Sequence, residues 1–305
     1  MVPDDFDDRL RSAAFAYLDG ITSAAGGVVS YRDLEAFELD GHRIALIQRM
    51  RGIRKVSGLD AALSILTTYA ARPQDRPYDD GIGPDGYQRY KWRGTDDAAY
   101  DNVALRHAME LNKPLIWFLG MSPGLYMPIY PVWLVGEEPE EHQFVVALED
   151  GMREQWTDRI FHPADLALRR QYAEATVRRR LHQPAFRIRV LSAYSGSCAL
   201  CNLRHPELLD AAHIKEDSDG GEPVVPNGVA MCAIHHRAFD ADVLGIRPDY
   251  VVQVRDDVME EHDGPTLRHS LQGVHGEKMQ LPRQRGARPD PTLLEERFER
   301  FRKAG

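Results

Sequence analysis

All three cysteines of this 305-residue chain fall in two short strings, CALCNLRHPELLDAAHI starting at Cys198 and NGVAMCAIHHRAFD starting at Asn227. They stand as Cys198-x2-Cys201 and Cys232-x2-His235, a spacing that lets each pair grip one tetrahedral ion through a tight turn. Disulfides are one alternative, but three thiols leave one unpaired and a reducing cytoplasm disfavours bridges. Three unrelated buried thiols are the other. A closed, structural zinc ion (Zn2+) makes sense of the odd count, because His235 then supplies the fourth ligand. Such an ion would clamp two loops that have little core between them.

The surrounding elements follow from hydrophobic spacing. Phe6, Leu10, Ala14 and Leu18 recur at helical intervals, so the chain opens with a helix ended by Gly26-Gly27. Ser30 is placed to cap a short second helix, and Gly41 to turn the chain into an apolar strand. From Gly52 to about Trp156, β-type runs such as KPLIWFLG, IYPVWLVG and HQFVVALED surround one predicted helix at DDAAYDNVALRHAMELN. A basic helix from Pro163 leads to the cysteine segment, which is followed by a strand at DYVVQV and a closing helix at TLLEERFERFR. The expected fold is α+β. Residues 1–162 form a β-rich recognition domain, 163–190 a basic helical linker, and 191–305 the domain holding the cysteines.

Composition is that of a globular protein, with 43% hydrophobic and 28% charged residues. No run approaches a membrane span, and the acidic start MVPDDFDDRL lacks the apolar core of a secretory signal, so a cytoplasmic location is expected. The net charge of −9 argues against indiscriminate coating of nucleic acid. Locally, however, RRQYAEATVRRRLHQPAFRIR carries seven arginines against the single acid Glu174. It is either a solvated helix face or, directly before the cysteines, a phosphate-facing surface.

Within the clamp stand His213, Asn227 and His236, in the order and approximate spacing of the HNH motif. NGVAMCAIHHRAFD resembles the closing half of that motif in zinc-bound HNH restriction endonucleases. The resemblance covers roughly Arg178 to Ile246. It implies a ββα-metal fold, a hairpin whose first strand ends at His213 with a helix carrying His236 packed across it. It also implies phosphodiester hydrolysis on double-stranded DNA, for which a neutral imidazole suits deprotonation of an attacking water. His213 is the expected general base. His236 is the expected ligand of a catalytic Mg2+ or other divalent cation, which would stabilise charge growing on the leaving oxygen. Asn227 is expected to hold the loop between the strands and so orient His213, or else is a plain Asn-Gly turn residue. Family members commonly carry an acid directly before the base, where this chain has Ala212. Asp210 is the nearest substitute ligand, although strand alternation places it with Ala212 and opposite His213. Asp240 reads as a helix or loop anchor. Arg178, Arg179 and Arg180 are expected to hold backbone phosphates.

The N-terminal half more distantly resembles SRA and related PUA-type modules that read modified bases. That likeness implies a substrate carrying 5-methylcytosine or 5-hydroxymethylcytosine, inspected outside the helix between aromatic rings. Tyr78, Asp79, Asp80, Trp92, Trp117 and Tyr126 are the pocket candidates, with core packing as the competing role of each aromatic. Arg89, Lys91 and Arg93 alternate along a presumed strand and could touch phosphate from one face. One active site per chain suggests a homodimer for cutting both strands. The readings that compete with this one are an HNH nuclease selecting unmodified DNA and a zinc-stabilised binding module without catalysis.

Overall fold

A computed structural model of the chain describes residues 5–24, 27–69, 81–157, 163–262 and 264–304. The chain is mixed α+β and divides into two compact units, Met1–Pro184 and Ala185–Gly305. Among the described residues no helix is long and apolar enough to cross a membrane.

The N-terminal unit opens with helix α1 (Asp5–Ala24). Leu10, Ala14 and Leu18 line its buried stripe, while Phe6, predicted to join them, is partly exposed at the helix start. Arg11 is buried beside this stripe, donating to the carbonyls of Pro114 and Ala62 and to Asp7. Strand β1 (Val29–Ser30) ends at the predicted cap. Ser30 Oγ accepts the Asp33 N–H and the Asp33 carboxylate accepts the Ser30 N–H, closing a capping box on α2 (Tyr31–Glu35). Gly41 does make a turn, but between two-residue strands β2 (Glu38–Leu39) and β3 (His42–Arg43), and the apolar run beyond it packs as loop.

The sheet of this unit is built from β4 (Ile53–Arg54), β5 (Ser64–Thr67), β6 (Gln88–Lys91), β7 (Leu115–Ser122), β8 (Leu125–Glu138) and β9 (Gln143–Ala147), in the order β4-β5-β7-β8-β9-β6, with β1 on β8. All its pairs are antiparallel except β5 with β7, whose parallel pairing requires a long crossover. Helix α3 (Tyr100–Glu110) lies within that crossover, and α4 (Asp150–Thr157) follows β9. The basic segment then forms α5 (Pro163–Val177), a π-turn at Arg178–His182 and α6 (Gln183–Ala193).

The C-terminal unit places a hairpin of β10 (Leu209–His213) and β11 (Gly228–Cys232) against α7 (Ala233–Asp240). A second hairpin, β12 (Leu244–Ile246) with β13 (Val252–Val254), precedes α8 (Asp256–Glu260) and the closing α9 (Pro291–Ala304). Phe186 and Val190 of α6, Leu209 and Ala212 of β10, and Val229 and Met231 of β11 share its core. Here β11 is buried on both faces, whereas β10 leaves Asp210 to solvent.

Candidate functional site

Two clusters of polar side chains meet at the corner between β11 and α7, and among the described residues the first is the one whose donors converge as metal ligands do. The first is the cysteine cluster. Cys198 and Cys201 lie in the turn after α6, Cys232 ends β11 and His235 sits in the first turn of α7. Their donor atoms all lie within 4.8 Å of one another. His235 Nδ1 is 3.4 Å from Cys198 Sγ and 3.2 Å from Cys232 Sγ, and the Cys201 and Cys232 sulfurs are 3.9 Å apart. Ligands on a tetrahedral zinc at about 2.3 Å would sit roughly 3.8 Å apart, so the donor set fits such an ion. His235 Nε2 faces the Ser270 carbonyl at 2.6 Å, which leaves Nδ1 turned to the sulfurs. A hydrogen bond from Cys232 holds the Cys198 thiol below its ordinary pKa, while burial holds Cys201 above it. Three sulfurs and one imidazole nitrogen thus converge on a common point, the donor set of a thiolate-binding cation. The cluster could hold a metal ion such as zinc.

The second cluster surrounds His236, the residue after His235. Its Nδ1 faces Asp210 Oδ2 at 3.7 Å and its Nε2 faces Asp240 Oδ2 at 3.4 Å. Asp210 is the residue that strand alternation seemed to turn away from His213. It nevertheless reaches this ring from β10, where Arg187 Nε also approaches it at 3.4 Å. Arg187 further donates to the carbonyls of Pro206 and Leu209, both at 2.8 Å, so this arginine of the basic run fastens the start of β10. Ala212, directly before His213, is buried in the core.

His213 ends β10 opposite Gly228. Phe186 stacks on its ring with centroids 4.0 Å apart and planes 17° from parallel. Gly228 makes room for this stack, since a Cβ there would lie 2.7 Å from the Phe186 ring and 2.5 Å from Val190. Burial lowers the His213 pKa from its ordinary value, and the charge of His236 acts in the same direction against Glu216 and Asp217. The ring is therefore kept neutral, the form able to accept a proton.

Asn227 is buried, and all its polar atoms are bound. Oδ1 accepts the Lys215 N–H at 2.8 Å, and Nδ2 donates to the carbonyls of Lys215 and Glu222, both at 2.9 Å. Its own carbonyl accepts the Ile214 N–H at 3.0 Å. The loop leaving His213 is closed by these bonds, and Gly221 lets it close, since a Cβ there would lie 2.0 Å from the Lys215 carbonyl oxygen.

In the N-terminal unit several candidate contacts lie elsewhere than expected. Trp92, Trp117 and Tyr126 are 4%, 1% and 6% exposed and form core. Trp117 Nε1 donates to Thr67, and Trp92 packs on His142 and Phe144. As they stand, none can sandwich a base. Arg89 is also inside, its guanidinium shared by Asp85 and Glu138. Both faces of β6 are covered there, so alternation did not produce a solvent face. Lys91 Nζ donates to the Glu141 carbonyl, and Arg93 pairs with Asp101. Of the arginine cluster, Arg179 pairs with Glu149, and Arg180 donates to the Tyr130 and Pro131 carbonyls. Arg178 also has an interaction partner. Tyr78, Asp79 and Asp80 lie outside the described residues.

Sequence reasoning missed Phe186, Arg187 and Ser270 as partners of the site. The first two lay inside a run read for its charge, and no local signal marked Ser270. Among solved structures, the chain is similar to the modification-dependent TagI restriction endonuclease, with 16% identity over 84% of this chain and 87% of that one and a TM-score of 0.29. It is also similar to the type IV phosphorothioation-dependent restriction endonuclease ScoMcrA, with 15% identity over 82% of this chain, a span of 60% of the other, and a TM-score of 0.24. A search of curated proteins gives no match. The HNH endonuclease family model matches residues 198–247, which hold both clusters, the β10–β11 hairpin and α7. The segment 198–247 therefore belongs to the HNH endonuclease family.

Proposed function

We propose that the chain is a metal-dependent DNA endonuclease of the restriction type, with His213 as general base. The observation that carries this reading is the His213 ring, stacked on buried Phe186 and held neutral beside a carboxylate-flanked His236. Phe186 fixes the plane of the His213 ring, and Asn227 fixes the backbone that follows it. In this arrangement His213 takes a proton from water as that water attacks phosphorus. His236 and Asp210 would hold a divalent cation, with Asp240 bracing His236 from its other nitrogen. When bound, such an ion supplies Lewis-acid stabilisation of the leaving oxygen. Cys198, Cys201, Cys232 and His235 would hold a structural zinc that fixes the β11–α7 corner.

Substrate selection falls to the N-terminal unit, and modified cytosine is the feature proposed. With Trp92, Trp117 and Tyr126 in the core, Tyr78, Asp79 and Asp80 are the pocket candidates that stand. Digestion of matched plasmids that differ only in cytosine modification, with Mg2+ or Mn2+, tests both parts. Cutting of modified DNA that stops on chelation is expected. Equal cutting of both plasmids would assign the N-terminal unit to an unmodified feature, and failure to cut either would remove the endonuclease reading.

A further inference from the structure

Most cations singled out in the N-terminal unit by sequence are engaged within the fold, but Arg93 reaches solvent together with a set not singled out there. The turn after Gln48 carries Arg49, Met50 and Arg51 and is closed at Gly52, whose φ of +75° suits glycine. Met50 is 90% exposed. Arg51 approaches Asp101 Oδ1 at 3.7 Å, and Arg93 donates to Asp101 Oδ2 at 2.7 Å. Asp101 itself is 3% exposed, whereas the two arginine side chains are 48% and 46% exposed. One buried carboxylate thus holds two guanidiniums towards water. The ammonium of Lys55 lies 4.7 Å over the ring of Tyr100, the residue before Asp101, and Arg49 lies 4.7 Å over Tyr31. The nearby Asp96 carboxylate accepts the Ala98 N–H.

Arg51, Lys55 and Arg93 gather at the Tyr100–Asp101 pair, and Arg49 stands across Met50 from Arg51, which gives a cationic face on a chain whose net charge is −9. Two large apolar side chains, Met50 and Tyr100, stand exposed within it. Single exposed apolar residues are ordinary on protein surfaces. A methionine at the apex of a turn with an arginine on each side is a narrower arrangement. Guanidiniums held in place match phosphate oxygens, and an apolar tip between phosphate contacts is the type of side chain that wedges against base steps.

We propose that this face is where the N-terminal unit engages duplex DNA, the cations on phosphates and Met50 against the base stack. The proposal rests on the DNA reading above, but it concerns binding and needs no cutting. It is tested with the full-length His213→Ala protein, so that the duplex stays intact. Binding to a duplex oligonucleotide carrying 2-aminopurine is followed across a salt series. The triple variant Arg49→Gln, Arg51→Gln, Lys55→Gln leaves Arg93 on Asp101. It should bind at least about tenfold more weakly, and its slope of log affinity against log salt should be shallower by about 2–3, the share of three phosphate contacts. Met50→Ala should keep the slope and lose the rise in 2-aminopurine fluorescence. Hydrogen exchange on the His213→Ala parent should show residues 48–56 protected by the duplex, a readout that does not depend on how the triple variant folds.

Unchanged affinity and slope in a triple variant of unchanged melting temperature would overturn the proposal and leave the endonuclease standing. So would an absence of protection at 48–56, as expected if an acidic protein surface is the partner of this face. A parent protein with no affinity for DNA would remove both the proposal and the reading beneath it.

Discussion

The phenyl ring of Phe186 lies nearly parallel to the imidazole of His213, 4.0 Å away, and Gly228 is the residue that lets it do so. Hydrogen bonds fix the backbone beyond His213 at Lys215, but the plane of the ring itself is set by this face. The base of the proposed reaction is thus oriented by dispersion and shape.

Burial lowers the His213 pKa, so the acid limb of cutting should have its midpoint below the usual histidine value of about 6.5. Phe186→Leu uncovers part of the ring at a stability cost on the order of 1–2 kcal/mol. It should shift the limb upward, while Phe186→Tyr leaves it in place. The stability linkage has a definite sign. The unfolded chain takes up this proton at the ordinary value and the folded chain only at lower pH, so the group eases unfolding as pH falls below about 6.5. Single-turnover rates against pH measure the limb, and a midpoint at or above 6.5 in the unaltered protein would contradict the assignment.

His213→Ala should reduce cutting by about 10²–10⁴-fold, the usual range for a lost general base, with little change in DNA affinity. A variant that cuts within a few-fold of the parent would move the base elsewhere.

Metal analysis of protein kept in reducing buffer should find one zinc per chain. Structural zinc clusters contribute about 10–16 kcal/mol of apparent folding free energy in small domains, so Cys198→Ser or Cys232→Ser should destabilise the C-terminal unit severely. A melting curve unmoved by strong chelators would count against the clip.

Asn227→Ala leaves the Lys215 N–H and two carbonyls without their partners, each loss costing about 1 kcal/mol or more. A lower melting temperature should accompany at least a tenfold slower cut. Asn227→Asp retains an acceptor for Lys215 but neither donor, and should fall between the two.

Asp210→Asn and Asp240→Asn separate the carboxylates that flank His236. The first should raise the divalent-ion concentration needed for half-maximal rate about tenfold or more. The second should slow cutting at saturating metal without changing that requirement. Titration of Mg2+ or Mn2+ against rate distinguishes the two, and the reverse pattern would exchange their roles.

The cysteine cluster was legible because its ligands are near in sequence and their spacing reflects a local turn. The hairpin ending at His213 and the helix beginning after Cys232 were legible for the same reason. Arg187 and Phe186 were not, because their partners are defined by where α6 packs, and a charge run conceals an aromatic within it. Arg89, Lys91 and Arg93 were read from alternation along a presumed strand, which marks an exposed face only where one side of a sheet is open, and Arg89 lies where both sides are covered. Asp210 shows the opposite failure. Alternation grouped it with Ala212, yet Asp210 is exposed where Ala212 is buried, and α7 crosses near enough for His236 to meet it.

Cys232 and His235 straddle a single bend in the backbone, and His236 is the next link along it. Under the proposed function, oxidation of the Cys232 thiol would therefore disturb the clip and the His236 imidazole together, through one turn of backbone.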